Sequence, residues 1–338
     1  MITNPTPQRT LRGHRPTRPT SQARNSTDHR AWLAQHLTAR DRWLIRMLFE
    51  HKVLTTHQII DLAFPSRRSA NQRLLNLYSW RVVHRFQPYL TTGSSPMHYV
   101  LDSTGATILA DEEGIDPSAL NYSRDRSAGR AHSLRLAHDV GCNSLFTSLV
   151  RRSRQPNAIG QLTIWWSAAR CRRLWGDIVT PDGYGRWNES GREIEWFTEF
   201  DFGTEQLTRL TDKIDRYNRL ATATGVTTPV LMWFPTPKRE ASARKALDGL
   251  ENPDQVPVAT TNAASTETPV DMGQARWLAL GSAQSRGRVT LADLPALWPD
   301  IPAPDALADN QAGSGPNLAA PCPMPPPALE YTRTRRTA

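Results

Sequence analysis

From Glu193 to Asp201 the chain alternates without a break. Ile194, Trp196, Thr198 and Phe200 hold one parity, and Glu193, Glu195, Phe197, Glu199 and Asp201 hold the other. Only an extended strand sorts such a pattern onto two faces, because successive side chains of a strand point to opposite sides. A lone strand is unstable in water, so the flanking sequence must supply a sheet and something to cover its apolar face. Gln161 to Trp166, Trp175 to Thr180 and Pro229 to Phe234 are read as the other strands. Pro181-Asp182-Gly183-Tyr184-Gly185 is read as the turn before the acidic strand. Leu134 to Val150, apolar on nearly every side, predicts a buried helix, and Gly203-Thr204 opens another through Leu207, Leu210, Ile214 and Tyr217. Helix, three strands, helix, strand predicts an α/β sandwich.

Upstream, the signals are those of three short helices and a hairpin. Thr38 is placed to cap a helix carrying Leu44, Ile45, Met47 and Leu48. Thr55 and Gln58 have the spacing of a capping box, in which each side chain satisfies a free backbone N–H. Pro65-Ser66 ends that second helix and begins a third, whose Ala70, Leu74, Leu77 and Tyr78 form one buried stripe. Val82 to Gln87 and His98 to Leu101 read as strands around Thr91-Thr92-Gly93-Ser94-Ser95-Pro96. This order predicts a winged helix-turn-helix, whose third helix enters the DNA major groove. Arg67, Arg68, Asn71, Gln72 and Asn76 are its candidate DNA contacts, since guanidinium and amide groups match guanine and adenine edges bidentately. The alternative is a protein-binding winged helix on which the same residues are merely solvated.

Charge favours the first alternative. The 338 residues carry 41 Lys and Arg against 32 Asp and Glu, a net +9, which suits a polyanionic partner. Residues 40–85 hold nine basic and three acidic residues, whereas the chain from Glu251 on holds six and nine. Only Lys52, Lys213, Lys238 and Lys245 are lysines, so each is worth attention. The expected fold is α+β: a disordered basic arm over 1–34, the winged helix-turn-helix over 35–125, the α/β domain over 130–250, and a Pro/Ala-rich, mostly disordered tail over 251–338. No apolar run approaches the ~20 residues of a membrane span, and no secretory leader is evident, so a cytoplasmic protein is expected. Cys142, Cys171 and Cys322 are too few and too scattered for a disulfide framework or a zinc ribbon.

Pro181-Asp182, then sixteen intervening residues, then Glu199-Phe200-Asp201 resembles the PD-(D/E)XK nuclease superfamily. The resemblance implies that Asp182, Glu199 and Asp201 hold Mg2+ or Mn2+ for phosphodiester cleavage. Residues i and i+2 of a strand share a face, so Glu199 and Asp201 can converge with Asp182. The superfamily's lysine position holds Asp201, and Lys213, in the next helix, is the candidate replacement. The alternative is that these acids lie on a solvated sheet face. Tyr184 is a candidate nucleophile or a packed turn residue, His138 a core histidine or a site residue, and Glu205 a favourable charge in the first turn of its helix or a metal ligand.

A wider resemblance spans most of 38–248. Leu37 to Leu44, Val53 to Ile59, Ala131-His132-Ser133-Leu134-Arg135-Leu136-Ala137-His138, Trp175-Gly176-Asp177, Pro181 to Gly185, Glu199-Phe200-Asp201-Phe202-Gly203-Thr204-Glu205 and Lys213 to Tyr217 resemble the replication-relaxation family of actinobacterial and other plasmids and mobile elements. It implies a part in plasmid replication and relaxation of plasmid DNA, with double-stranded DNA, host replication proteins and a second copy of the chain as expected partners. No His-x-His pair matches the metal-dependent tyrosine relaxases. No Walker A lysine is present, so no nucleotide cofactor is expected. A purely DNA-binding regulator, whose second domain serves dimerisation or recruitment, remains the rival reading.

Overall fold

A computed structural model describes residues 11–14, 21–90, 93–203, 205–248, 255–265, 271–281, 286–304 and 318–327. Leu11–His14 (β1) precedes a helix, Thr27–His36 (α1), capped by Ser26. Ala39–His51 (α2) begins at a capping box in which Thr38 and Asp41 satisfy each other's backbone N–H groups. Leu54–Thr55 (β2) leads into Thr56–Ala63 (α3) through the expected Thr55/Gln58 box, and Ser66 caps Arg67–Ser79 (α4). Val83–Phe86 (β3), Pro88–Leu90 (β4) and His98–Leu101 (β5) follow. β2, β5 and β3 form an antiparallel sheet in that order, with Val83 opposite Leu101 and Phe86 opposite His98.

Ser103–Glu113 (α5) and Arg124–Gly129 (α6) connect to Leu136–Ser153 (α7). Then come Gly160–Ser167 (β6), Ala168–Trp175 (α8), Gly183–Glu189 (β7), Arg192–Phe200 (β8), Leu207–Thr224 (α9), Val230–Phe234 (β9), Pro237–Leu247 (α10), Val258–Asn262 (β10) and Leu278–Ala279 (β11). The six strands run β11-β10-β9-β8-β7-β6; β6, β7 and β8 are antiparallel, and β9 and β10 join in parallel. The parity of β8 is as expected. Ile194, Trp196 and Phe200 pack with Phe146 and Leu149 of α7, whereas Phe197 packs with Leu210, Ile214 and Tyr217 of α9.

Several expectations are corrected. Trp175 to Thr180 is not a strand: Trp175 ends α8, and the middle strand is Gly183–Glu189. Gly183 and Gly185 are strand residues rather than turn residues. A Cβ on Gly185 would lie 2.5 Å from the Trp196 ring and 2.7 Å from the Phe146 ring, so the glycines let two aromatic rings press on the backbone. Part of the arm is ordered: β1 pairs antiparallel with β4, and Leu33 of α1 is fully buried. Residues 1–10 and 15–20 lie outside the described residues. Beyond 250 the chain contributes β10, a strand between β9 and β11 with every residue buried. Its β-branched Val258, Thr260 and Thr261 suit a doubly covered strand. Farther on, the Trp43 indole N–H donates to the Cys322 carbonyl at 2.7 Å, Arg170 Nη2 donates to the Leu318 carbonyl at 3.0 Å, and Pro323 is buried.

The two expected domains share a single core that runs from Leu44 and Leu48 through Phe146 to Trp165 and Trp196. Polar ties cross the same boundary. Gln58 donates to the Val140 carbonyl (2.8 Å) and the Ser144 hydroxyl (2.9 Å), and Asn143 donates to the Val53 carbonyl (2.9 Å). Glu50 accepts two bonds from Arg170 in a fully buried bidentate pair. Residues 121–130, at the boundary between the two expected domains, include α6 and pack onto the first sheet: Tyr122 and Ser127 both donate to the Leu101 carbonyl.

Candidate functional site

Asp182 sits where the chain enters β7, its N–H donating to the Thr198 carbonyl at 3.0 Å. The Phe200 amide donates to its Oδ2 (3.1 Å), His138 Nε2 of α7 lies 3.1 Å from the same oxygen, and Arg135 Nη2 is 3.5 Å from Oδ1. Burial works against the Asp182 charge. The His138 and Lys213 cations and the bonds from His138 and Phe200 nevertheless hold this carboxyl well below the usual carboxylate range. His138 shows the converse: burial disfavours its cation, and the Asp182 carboxylate more than offsets this, raising its pKa. His138 therefore pairs with Asp182 rather than packing only among apolar neighbours.

Glu199 is 4% exposed, so the acids do not lie on a solvated sheet face. Lys213 Nζ and the Tyr217 hydroxyl, one turn apart on α9, both donate to its carboxylate. Burial pushes the Glu199 carboxyl up, against the pull of Lys213 and with the Asp182 charge adding to the rise. Lys213 is itself buried, which opposes its charge, but Glu199 and Asp182 hold its ammonium protonated above the ordinary lysine range. Asp182, Glu199 and Lys213 thus form one electrostatic group.

Asp201 turns elsewhere. Arg239 Nε of α10 donates to its Oδ2 at 2.7 Å and the Gly203 amide caps its Oδ1. Among the described residues no three His, Cys, Asp or Glu side chains are grouped to hold a metal ion. The group contains buried Glu199, half-buried Asp182 and a lysine, with Asp201 two residues along the chain from Glu199. Glu205 precedes α9 rather than lying in its first turn, and its carbonyl accepts from Arg239. Tyr184 is buried in β7 among Trp166, Trp175 and Phe197, and its hydroxyl donates to Glu195. Burial and the Glu195 charge push its pKa up, which disfavours the phenolate that a nucleophile needs.

The second candidate surface is α4. Arg67, Arg68, Asn71 and Gln72 are exposed along one side and Asn76 is half-buried, while Ala70, Leu74, Leu77 and Tyr78 face the core. Arg73 is drawn inward instead: its Nε donates to buried Asp41 at 2.9 Å, and its guanidinium stacks on Trp80. The partners missed from sequence are Tyr217, Arg135 and Arg239. For Tyr217 the signal was present, because Lys213 and Tyr217 at i and i+4 share one helix face.

Among the described residues no helix is long and apolar enough to cross a membrane. No curated protein and no solved structure matches the chain. A family model described as Replication-relaxation matches residues 45–236. That span, more than half of the chain, opens within α2, takes in the exposed side of α4 and the Asp182, Glu199 and Lys213 group, and closes at the cap of α10. The chain belongs to the replication-relaxation family.

Proposed function

We propose that this protein binds double-stranded DNA in plasmid or mobile-element replication and DNA relaxation. In this reading the unit from α2 to β5 acts as a winged helix-turn-helix, and the unit from α7 onward is a nuclease-like α/β fold. The carrying observation is the exposed row Arg67, Arg68, Asn71 and Gln72, held on a helix whose opposite face is locked in the core. Guanidinium and amide forks on a rigid helix suit base edges, and exposed arginines at the helix start suit phosphates. Fluorescence anisotropy with plasmid-derived duplexes tests it. Arg68→Ala and Gln72→Ala are each expected to cost about 1–3 kcal/mol on a preferred duplex and less on a random one. Unchanged affinity in both variants would sink the assignment of α4.

A second reading, strand nicking, is supported by the grouping of Asp182, Glu199 and Lys213. Two neighbouring carboxylates that repel each other, buried Glu199 and half-buried Asp182, are hard oxygen donors of the kind Mg2+ or Mn2+ takes. Asp182 and Glu199 would hold the ion, which would supply a polarised water and charge neutralisation at a scissile phosphate. Asp201, committed to Arg239, would join only by giving up that pair. Lys213 offers its charge to developing negative charge on phosphate oxygens, and His138 orients Asp182. Melting of wild type in Mg2+ against EDTA, repeated with Asp182→Asn, tests the ion; conversion of supercoiled plasmid to open circles tests the chemistry. Metal-independent melting would refute the ion, and intact plasmid despite a metal shift would leave a non-catalytic DNA-binding fold.

A further inference from the structure

A cavity of about 150 Å3 opens between the end of α2 and the segment around α6. Its charged lining is entirely cationic: Lys52, Arg126 and Arg130, with Tyr122, Ser123 and Ser127 as hydroxyl neighbours and no carboxylate in the wall. Arg126 is anchored by Asn121, whose main-chain and side-chain oxygens both accept from Nη2 at 2.9 Å. The nearest acid on α2, Glu50, is consumed by Arg170. Lys52 donates to the Phe49 carbonyl at 2.6 Å and lies over the Phe49 ring.

The backbone at Lys52 is unusual as well. With φ 68° and ψ −43°, and Val53 N–H bonded to the His51 carbonyl at 2.8 Å, it is the centre of a γ-turn that side-chain-bearing residues rarely adopt. Such strain gathers at functional positions, and here it aims one of four lysines into a cationic cavity. Burial also pushes the Lys52 ammonium down, to about 8; Glu50 opposes this, and Arg130, Arg173 and Arg170 repel it further.

From this cavity a continuous polar path reaches the acid group. Arg130 Nη1 is 3.0 Å from Asp139 Oδ2, His138 Nδ1 is 4.0 Å from Asp139 Oδ1, and His138 Nε2 is 3.1 Å from Asp182. We propose that the cavity lined by Lys52, Arg126 and Arg130 is a phosphate-binding site that seats one backbone phosphate of a DNA strand running past Asp182. The site deepens the DNA-binding reading and rests on it. A cavity of this size takes a phosphoryl group, and three cations supply the charge-assisted bonds that phosphate oxygens accept.

The test uses the full chain, with inorganic phosphate and a short duplex as separate probes. Wild type should melt higher in phosphate than in chloride of equal ionic strength. K52G and R126Q should lose that rise, each with about tenfold weaker duplex binding and a salt slope smaller by about one. K52G relieves the γ-turn, so it loses the ammonium without a misfolding explanation. Equal phosphate melting in all three proteins, with unchanged duplex affinity, would overturn the site while leaving DNA binding intact. A phosphate shift in a wild type that binds no duplex would overturn the DNA assignment and leave a free-phosphate site.

Discussion

Arg170→Met isolates the electrostatic clamp between the two halves of the molecule. Arg170 meets Glu50 through Nε at 3.0 Å and Nη2 at 2.8 Å, both side chains are under 7% exposed, and Ser167 adds N–H and hydroxyl bonds to the same carboxylate. Burial alone would raise the Glu50 carboxyl; Arg170, helped by His51 and Ser167, instead lowers it from 4.5 to about 2. That difference is worth about 3 kcal/mol of folding free energy. Stranding the carboxylate agrees with this, since unpairing a buried ion costs about 3–5 kcal/mol. Because the folded pKa is depressed, the contribution is present above the ordinary carboxyl value and is lost as pH falls through about 2. In Arg170→Met the unpartnered carboxyl protonates readily on acidification. Urea unfolding should therefore show a large deficit at neutral pH that narrows below about pH 5. Glu50→Gln combined with Arg170→Met should recover a large part of it, with both halves melting in one transition. A neutral-pH deficit under about 1 kcal/mol, typical of an exposed pair, or one independent of pH, would refute the reasoning.

Gly141→Ala is expected to cost about 1–3 kcal/mol in a denaturant titration, because the added Cβ would lie 2.6 Å from the Phe200 ring, itself stacked on Trp233. As the Phe200 amide holds Asp182, the same variant should weaken any metal-induced rise in melting temperature. Leu33→Ala should cost about 2–5 kcal/mol by calorimetry, since α1 is anchored by this fully buried side chain; a negligible change would return α1 to the status of a loose arm.

What was legible in the sequence follows from how local each signal is. Thr38, Thr55 and Ser66 each bond a backbone N–H within three residues, so the starts of α2, α3 and α4 could be located from short windows. The parity of Ile194 to Asp201 assigned both faces of β8, and with them the direction in which Glu199 looks. The failures all involve partners distant in the chain. Gly183 and Gly185 read as turn residues because nothing nearby reveals the Phe146 and Trp196 rings that require them. Val258 to Asn262 sits in a stretch of poor composition and becomes a strand only because β9 offers a parallel edge. The two readings of His138 stayed open because its partner Asp182 lies 44 positions away.

The bond from Trp43 to the Cys322 carbonyl spans 279 positions. On a ribosome adding about 5–20 residues per second, α2 waits roughly 15 to 60 s for the chain that completes its surroundings. By the end of that interval the helix units, the sheet and the acid group can be in place while one indole N–H still lacks its final acceptor. A message cut short before Leu318 would thus yield a protein with its candidate DNA face and acids intact but an uncovered tryptophan, a flaw that a proteostasis system senses as exposed apolar surface rather than as a missing function.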